Sequence, residues 1–91
     1  MVAKETKKAV ALKYDSAKDN APRVTAKGGG SVAERIVSLA REAGIPITED
    51  QDLVECLAQL DWYEEIPPPL YHAVAEILAF AYRLNQQIKT T

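Results

Sequence analysis

The sequence predicts a small α/β domain, in which a mixed sheet of three or four strands is surrounded by three or four helices. Three observations lead to this fold class. The chain has 91 residues, which is the size of a single domain. Apolar residues make up 47% of it and charged residues 26%, as in ordinary globular proteins. The apolar residues recur first with the period of strands and then with that of helices, in the order strand, helix, strand.

Two short strands are predicted in the first third of the chain. Apolar residues alternate with others over residues 9–15 and again over residues 23–27, which is typical of strands. The segment between them is rich in turn-forming residues and ends at Pro22, which disfavours helix at the residue before it. The connection is short enough for the two strands to pair antiparallel.

A helix is predicted from Ser31 onward, because Ser31 and Glu34 have the spacing of a capping box. Gly44 ends this helix as a left-handed cap. The apolar, β-branched residues 45–48 then indicate a buried strand. A strand, a helix and a strand in succession predict a βαβ crossover, in which residues 23–27 and 45–48 run parallel.

Two further helices follow. Asp50 can cap the first, whose apolar side is formed by Leu53, Val54, Leu57 and Leu60. Three prolines at residues 67–69 predict the start of the last helix, which continues to about Gln86 with a broad apolar face. The domain is expected over residues 9–87, with an N-terminal tail over residues 1–8 and a frayed end over residues 88–91.

The sequence does not combine the residues that catalysis or metal binding needs. His72 is the single histidine and has no identifiable nucleophile beside it, and Cys56 is the single cysteine, expected to be a buried thiol. Trp62 and Tyr63 are expected to cover an edge of the core, although they could also bind a ligand. We therefore expect no catalytic residue, no cofactor and no metal.

Charge is divided unevenly along the chain. Residues 1–30 contain seven basic and three acidic residues, whereas residues 31–66 contain two basic and nine acidic ones. The basic part lacks the interleaved aromatic residues of a nucleic-acid surface, so no nucleic-acid partner is expected. No apolar run is long enough to span a bilayer and no secretory signal is present, so the chain is expected in the cytoplasm without membrane insertion.

A glycine-rich segment supports an alternative function. Gly28, Gly29 and Gly30, followed by Ser31 and by Ala33, fit the pattern G-x-G-x-x-G/A between a strand and a helix, with acidic residues about 20 positions further on. This pattern allows a small nucleotide- or dinucleotide-binding protein. Alternatively, the glycines only let the chain turn from the strand into the helix.

Several longer motifs resemble the cytoplasmic domain of the flagellar export-gate protein FlhB and its type III secretion relatives. The similar segments are AVALKYD at residues 9–15, APRVTAKG at 21–28, VAERI at 32–36, AREAGIPITE at 40–49, EIP at 65–67 and LYHAVAEILAFAYRL at 70–84. The resemblance implies a small α/β fold with a central sheet and a role in switching between classes of export substrate. The family's membrane half has no counterpart here, so a stand-alone homologue of the cytoplasmic domain is expected.

The resemblance also locates the family's self-cleavage motif, Asn-Pro-Thr-His. It corresponds to Lys4, Glu5, Thr6 and Lys7, of which only the threonine matches. Cleavage in the family requires the asparagine amide nitrogen to attack its own carbonyl carbon. Because lysine has no such group, we expect neither self-cleavage nor any other enzymatic activity.

A hydrophobic patch of the family, which receives a short apolar export signal, corresponds to Ala21, Pro22, Ala75 and Leu78. All four residue types match. The spacing of Ala75 and Leu78 is equally consistent with two core residues of the last helix. The resemblance implies a non-enzymatic binding module that docks at the export gate, with the membrane half of FlhB, other gate components and export substrates as partners. It also implies peripheral attachment to the inner face of the membrane.

Overall fold

The computed structural model describes residues 1–15, 17–18 and 20–76. Its centre is a four-stranded mixed sheet, which confirms the predicted α/β fold class. The strands are β1 (Val2–Lys4), β2 (Lys8–Lys13), β3 (Arg23–Gly29) and β4 (Ile47–Glu49), in the order β3-β2-β1-β4 across the sheet. The predicted antiparallel pairing of the first two strands is present between β2 and β3, with an irregularity between Ala11 and Leu12.

The strand β1 differs from the expectation for this part of the chain. Residues 1–8 were expected to form a tail, but they contain β1 and the first residue of β2. Val2 and Ala3 are buried, and β1 pairs antiparallel with β2 on one side and parallel with β4 on the other. A three-residue strand is too short to show the alternation by which strands are recognised, so the sequence pattern did not reveal it.

The two strands joined by the crossover run parallel as predicted, but they are not neighbours in the sheet. Because β3 is antiparallel to β2, β2 to β1, and β4 is parallel to β1, β3 and β4 run in the same direction. The helix α1 (Ser31–Glu42) connects them, but β2 and β1 lie between the two strands. The position of β4 in the sheet therefore depends on β1.

The ends of α1 agree only in part with the prediction. The N-cap is Gly30, and no side chain caps this helix, so the capping box at Ser31 and Glu34 is not formed. At the other end, Gly44 has a φ of 70° and its N–H donates to the carbonyl of Arg41, while that of Ile45 donates to Ala40. These two bonds form a Schellman motif, which confirms Gly44 as the terminating glycine.

The second helix, α2 (Gln51–Ala58), begins as predicted. Asp50 is its N-cap, and its Oδ1 accepts a hydrogen bond of 3.0 Å from the amide of Leu53. At the C-terminal end, the Lys27 ammonium of β3 donates to the carbonyls of Ala58 and Leu60. A positive charge at this place complements the negative end of the helix dipole and ties α2 to the sheet.

The predicted last helix is present in the described residues. A 3-10 turn, Pro68–Leu70, follows the proline run and leads into a helical segment, α3, described over 71–76. Its predicted extent to Gln86 and the frayed end lie outside the described residues. None of the helices in the described part of the chain is long and apolar enough to cross a bilayer.

The sheet has a core on each face. On one face, β-strand residues pack with α2, with the segment before α3 and with α3 itself, in a cluster of Ala3, Val10, Leu12, Ala21, Val24, Leu53, Val54, Leu57, Leu60, Ile66 and Val74. On the other face a smaller cluster, Val2, Ala9, Ala33 and Ala40, lies between the sheet and α1.

Cys56 is exposed on α2, so the expectation of a buried thiol is wrong. The buried side of α2 is formed by Leu53, Val54 and Leu57, and Cys56 is not part of it.

Candidate functional site

The four positions that the resemblance assigns to the family's cleavage motif lie together in the turn between β1 and β2. Lys4 ends β1, and its Nζ is 3.2 Å from Oε1 of Glu49 on the neighbouring strand β4. The N–H of Glu5 donates to the carbonyl of Lys8 at 2.9 Å, and Glu5 Oε1 accepts from the amide of Lys7. The turn is therefore closed by its own hydrogen bonds, with Thr6 and Lys7 exposed.

Two open clefts flank this turn. One, of about 340 Å³, lies towards α1 and includes Arg41 and Ser38, and the other, of about 490 Å³, lies towards Asp50 and Gln51. Both contain charged groups of both signs, and the ammonium of Lys4 is engaged by Glu49. The turn carries the side chains of lysine, glutamate and threonine, none of which contains a carboxamide or a thiol.

The glycines of the alternative interpretation have structural roles. Gly28 and Gly29 belong to β3 and pair with Ala9 and Lys8. A Cβ atom at Gly28 would lie 2.3 Å from Cγ1 of Val32, so only glycine allows α1 to approach the strand this closely. The N–H of Gly30 donates to the carbonyl of Lys7 at 2.9 Å and is not available to a phosphate. The nucleotide-binding alternative gains no support from these contacts.

The described positions of the predicted hydrophobic patch differ in how deeply they are buried. Ala21 and Pro22 are buried, and the carbonyl of Pro22 accepts a hydrogen bond from the amide of Ile66. Ala75 is exposed, directly after Val74, which belongs to the same core cluster as Ala21. Leu78 lies outside the described residues. Among the three described positions, Ala75 is the accessible one.

The remaining candidates for chemistry are isolated. The side chain of His72 is 92% exposed, and its Nε2 lies 3.3 Å from Oε1 of Glu76 on the same helix. Among the described residues, no three His, Cys, Asp or Glu side chains are grouped closely enough to hold a metal ion. The pair of His72 and Glu76 contains no serine, threonine or cysteine that the histidine could activate as a nucleophile.

Trp62 and Tyr63 were expected to cover an edge of the core, and this expectation is wrong. Their exposed fractions are 51% and 66%, and they occupy a turn after α2 in which Tyr63 has a φ of 65°. The acidic residues Asp61 and Glu64 lie on either side of the two aromatic residues and are exposed, as carboxylates usually are.

Comparison with protein families shows a match of residues 1–81 to the model of the FlhB HrpN YscU SpaS family. Among individual proteins, the chain is 51% identical to YlqH of Bacillus subtilis (strain 168) over 83 residues, which is 91% of this chain and 89% of YlqH. It is 41% identical to the flagellar biosynthetic protein FlhB of Aquifex aeolicus (strain VF5) over 81 residues. That match covers 88% of this chain and 23% of FlhB, so the chain spans about a quarter of the length of this relative.

Solved structures with a similar fold come from the same group of proteins. The cytoplasmic domain of FlhB from Shewanella putrefaciens superposes with a TM-score of 0.87 at 36% identity, over 98% of this chain and 70% of that domain. The PscU C-terminal domain gives a TM-score of 0.76 at 30% identity, over 82% of this chain and 96% of that domain.

Proposed function

Because the chain belongs to the FlhB HrpN YscU SpaS family, we propose that it is a non-enzymatic binding module of the flagellar or type III protein-export apparatus. It docks at the export gate and influences substrate recognition or the switch between substrate classes. Its partners are the membrane half of FlhB, other gate components and export substrates. The protein acts in the cytoplasm and is held peripherally at the inner face of the membrane through these contacts.

The observation that carries this proposal is the β1–β2 hairpin. It supplies the two central strands of the sheet, and its turn contains Lys4, Glu5, Thr6 and Lys7, the positions that correspond by resemblance to the family's cleavage motif. The domain has the fold of the family, and on this correspondence a lysine occupies the position of the asparagine that cleavage requires. This combination favours a role in binding over a role in self-processing.

We expect the bond between Lys4 and Glu5 to remain intact. The ammonium of Lys4 is paired with Glu49 and contains no amide nitrogen that could close a cyclic imide with the backbone. After prolonged incubation at neutral and mildly alkaline pH, intact-mass measurement should give the uncut chain of 10.0 kDa. A fragment beginning at Glu5 would show that the prediction is wrong.

A variant with the family motif, Lys4→Asn, Glu5→Pro and Lys7→His, provides the positive control for this measurement. It retains Thr6 and restores the carboxamide, so it should release a product that begins at residue 5. Proline at position 5 also removes the hydrogen bond from the Glu5 amide to the carbonyl of Lys8. We expect this loss to destabilise the turn by about 1 kcal/mol.

The proposed contact for export signals is centred on Ala75. This small, exposed side chain follows the buried Val74, and the core cluster of Val74 also includes Ala21. A short apolar signal could bury one or two side chains there, each worth about 1.5–3 kcal/mol before the cost of ordering the peptide. Binding of this kind is weak and reversible, as substrate delivery requires.

The variants Ala75→Asp and Ala73→Asp test this contact, since both alanines are exposed on α3. Ala75→Asp should reduce the affinity for a synthetic export-signal peptide at least about tenfold, because a charge would face the apolar peptide. Ala73→Asp, the matched control, should bind nearly as the unmodified protein does. Equal affinities of all three folded proteins would exclude Ala75 from the contact.

The docking function is tested in cells. The gene is deleted in a host whose full-length FlhB has been trimmed at the cleavage site, and export of hook-type and filament-type substrates is measured. We expect altered switching, restored by the unmodified gene, and copurification of a gate component with the tagged protein. Unchanged export together with no copurifying gate component would rule the proposal out.

A further inference from the structure

Two adjacent aromatic side chains form an exposed surface on the turn after α2. Trp62 is 51% and Tyr63 66% exposed, and their ring centroids are 6.2 Å apart with the planes tilted by 59°. Hydrophobic stabilisation grows with the apolar area removed from water, so the exposed part of these two residues adds nothing to the stability of the fold. This exposed part remains available to another molecule.

The backbone that carries the two rings is held firmly. The amide of Asp61 donates to Oε1 of Glu64, and the amide of Glu64 donates to the carbonyl of Asp61. Tyr63 is tied to β3, because its N–H donates to the carbonyl of Val24 at 2.7 Å and its carbonyl accepts from Nη1 of Arg23. The rings are therefore presented from a fixed base, which reduces the ordering cost of binding.

The backbone of Tyr63 has an unfavourable conformation. Its φ of 65° lies in the left-handed region, where the Cβ atom of an ordinary residue is crowded by its own backbone. With 66% of the residue exposed, burial does not compensate for this strain. Glycine would fit the turn better, so backbone stability does not account for a tyrosine at this position.

The charges around the rings indicate the partner. Asp61 and Glu64 flank the rings in the sequence and are exposed, and Glu65 follows, paired with Arg23 at 2.8 Å. Carboxylates attract cations, and the faces of tryptophan and tyrosine do so as well through their electron-rich π systems. An acidic partner, a nucleic acid or an anionic membrane would be repelled at the same place.

We propose that residues 61–64 form a docking surface for a protein partner that presents an arginine or lysine side chain. The cation of the partner stacks on the Trp62 and Tyr63 rings and pairs with Asp61 or Glu64. This surface does not include Ala21, Pro22 or Ala75, and the proposal does not depend on the export-signal contact described above.

Trp62 allows a direct test, because it is the single tryptophan of the chain and its fluorescence reports on this turn alone. The protein is titrated with the peptide acetyl-Gly-Ser-Arg-Leu-Arg-Ser-Gly-amide and with the same peptide containing citrulline in place of both arginines. Citrulline has nearly the shape of arginine without its charge. We expect saturable binding of the arginine peptide, about fivefold tighter than that of the citrulline peptide, and weakened by added salt.

Three variants locate the contact. Tyr63→Gly removes a ring and the unfavourable φ, so it should weaken arginine-peptide binding at least about threefold without lowering the Tm. Glu64→Gln keeps an oxygen that can accept from the Asp61 amide but loses the charge. It should lower the affinity for the arginine peptide, and this affinity should depend less on the salt concentration. Tyr71→Ala removes an aromatic side chain that is 44% exposed on α3 and should leave binding unchanged.

Any of three results would overturn the proposal. The first is the absence of a saturable fluorescence change, and the second is equal affinity for the arginine and citrulline peptides. The third is unchanged arginine-peptide affinity in a folded Tyr63→Gly protein. The export-signal measurements on Ala75 use a different peptide and different variants, so either proposal can fail while the other holds.

Discussion

Gly28 illustrates how a single residue determines the distance between α1 and the sheet. The space that a side chain would need is occupied by Val32, whose Cγ1 and Cβ would lie 2.3 and 2.8 Å from an added Cβ atom. Gly28 is paired in β3, and Val32 is in the first turn of α1, 52% exposed. The glycine is thus required for packing, and it needs no bound phosphate to explain it.

This packing predicts the effect of adding one methyl group. Gly28→Ala should lower the free energy of unfolding by about 1–3 kcal/mol, since the helix must move away from the strand. The double variant Gly28→Ala, Val32→Ala should recover part of the loss, because it removes the contact with Cγ1 but leaves the Cβ atom of residue 32, which would lie 2.8 Å from the added Cβ atom. Chemical denaturation of both variants and of Val32→Ala alone measures the coupling. Additive effects of the two substitutions would contradict a direct steric conflict.

The beginnings of α1 and α2 differ at the scale of the element. Asp50 has an extended backbone before the first helical residue of α2, so its side chain can reach the amide of Leu53. In α1 the cap is Gly30 with a φ of 57°, and Ser31 is already the first helical residue. Ser31 and Glu34 are therefore displaced by one position from the geometry of a capping box.

Alanine substitution at the two sites should separate these roles. Asp50→Ala should cost about 1 kcal/mol of stability, because it removes the acceptor for the Leu53 amide. Ser31→Ala should change stability by less than about 0.5 kcal/mol, as is usual at exposed positions without a specific contact. Thermal and denaturant unfolding of both variants provide the comparison. A larger loss for Ser31→Ala than for Asp50→Ala would contradict the assignment of the two caps.

At the scale of the whole molecule, the fold depends on its first residues. β1 lies between β2 and β4, and without it these two strands would have no common neighbour.

The uneven distribution of charge along the chain also contributes to contacts within the fold. Among the described residues, three ion pairs join the basic first part of the chain to its acidic middle part: Lys4 with Glu49, Lys8 with Glu55, and Arg23 with Glu65. Part of both charge excesses is thus neutralised within the fold, and only the remainder can guide docking.

A charge placed in β1 should prevent folding. Ala3 is fully buried at the centre of the sheet, so Ala3→Asp should cost more than about 3 kcal/mol as an unpaired buried carboxylate. Thr6→Asp, three residues later in the exposed turn, should leave the Tm nearly unchanged. Circular dichroism and thermal unfolding distinguish the two. If both variants were equally stable, residues 1–8 would be a tail, as the sequence pattern suggested.

The sequence by itself determined the α/β class, the pairing of β2 with β3, the limits of α1 and the caps at Asp50 and Gly44. These features depend on neighbours in the chain, whose spacing can be read directly. Only the tertiary structure decided the place of β1, the approach of α1 at Gly28 and the exposure of Trp62 and Tyr63. The place of β1 and the turn at Tyr63 depend on residues far apart in the chain, β1 with β4 and Tyr63 with Val24, and local periodicity contains no information about such contacts. Gly28 and Val32 are near each other in the sequence, but the distance between them is set by how α1 packs on the sheet.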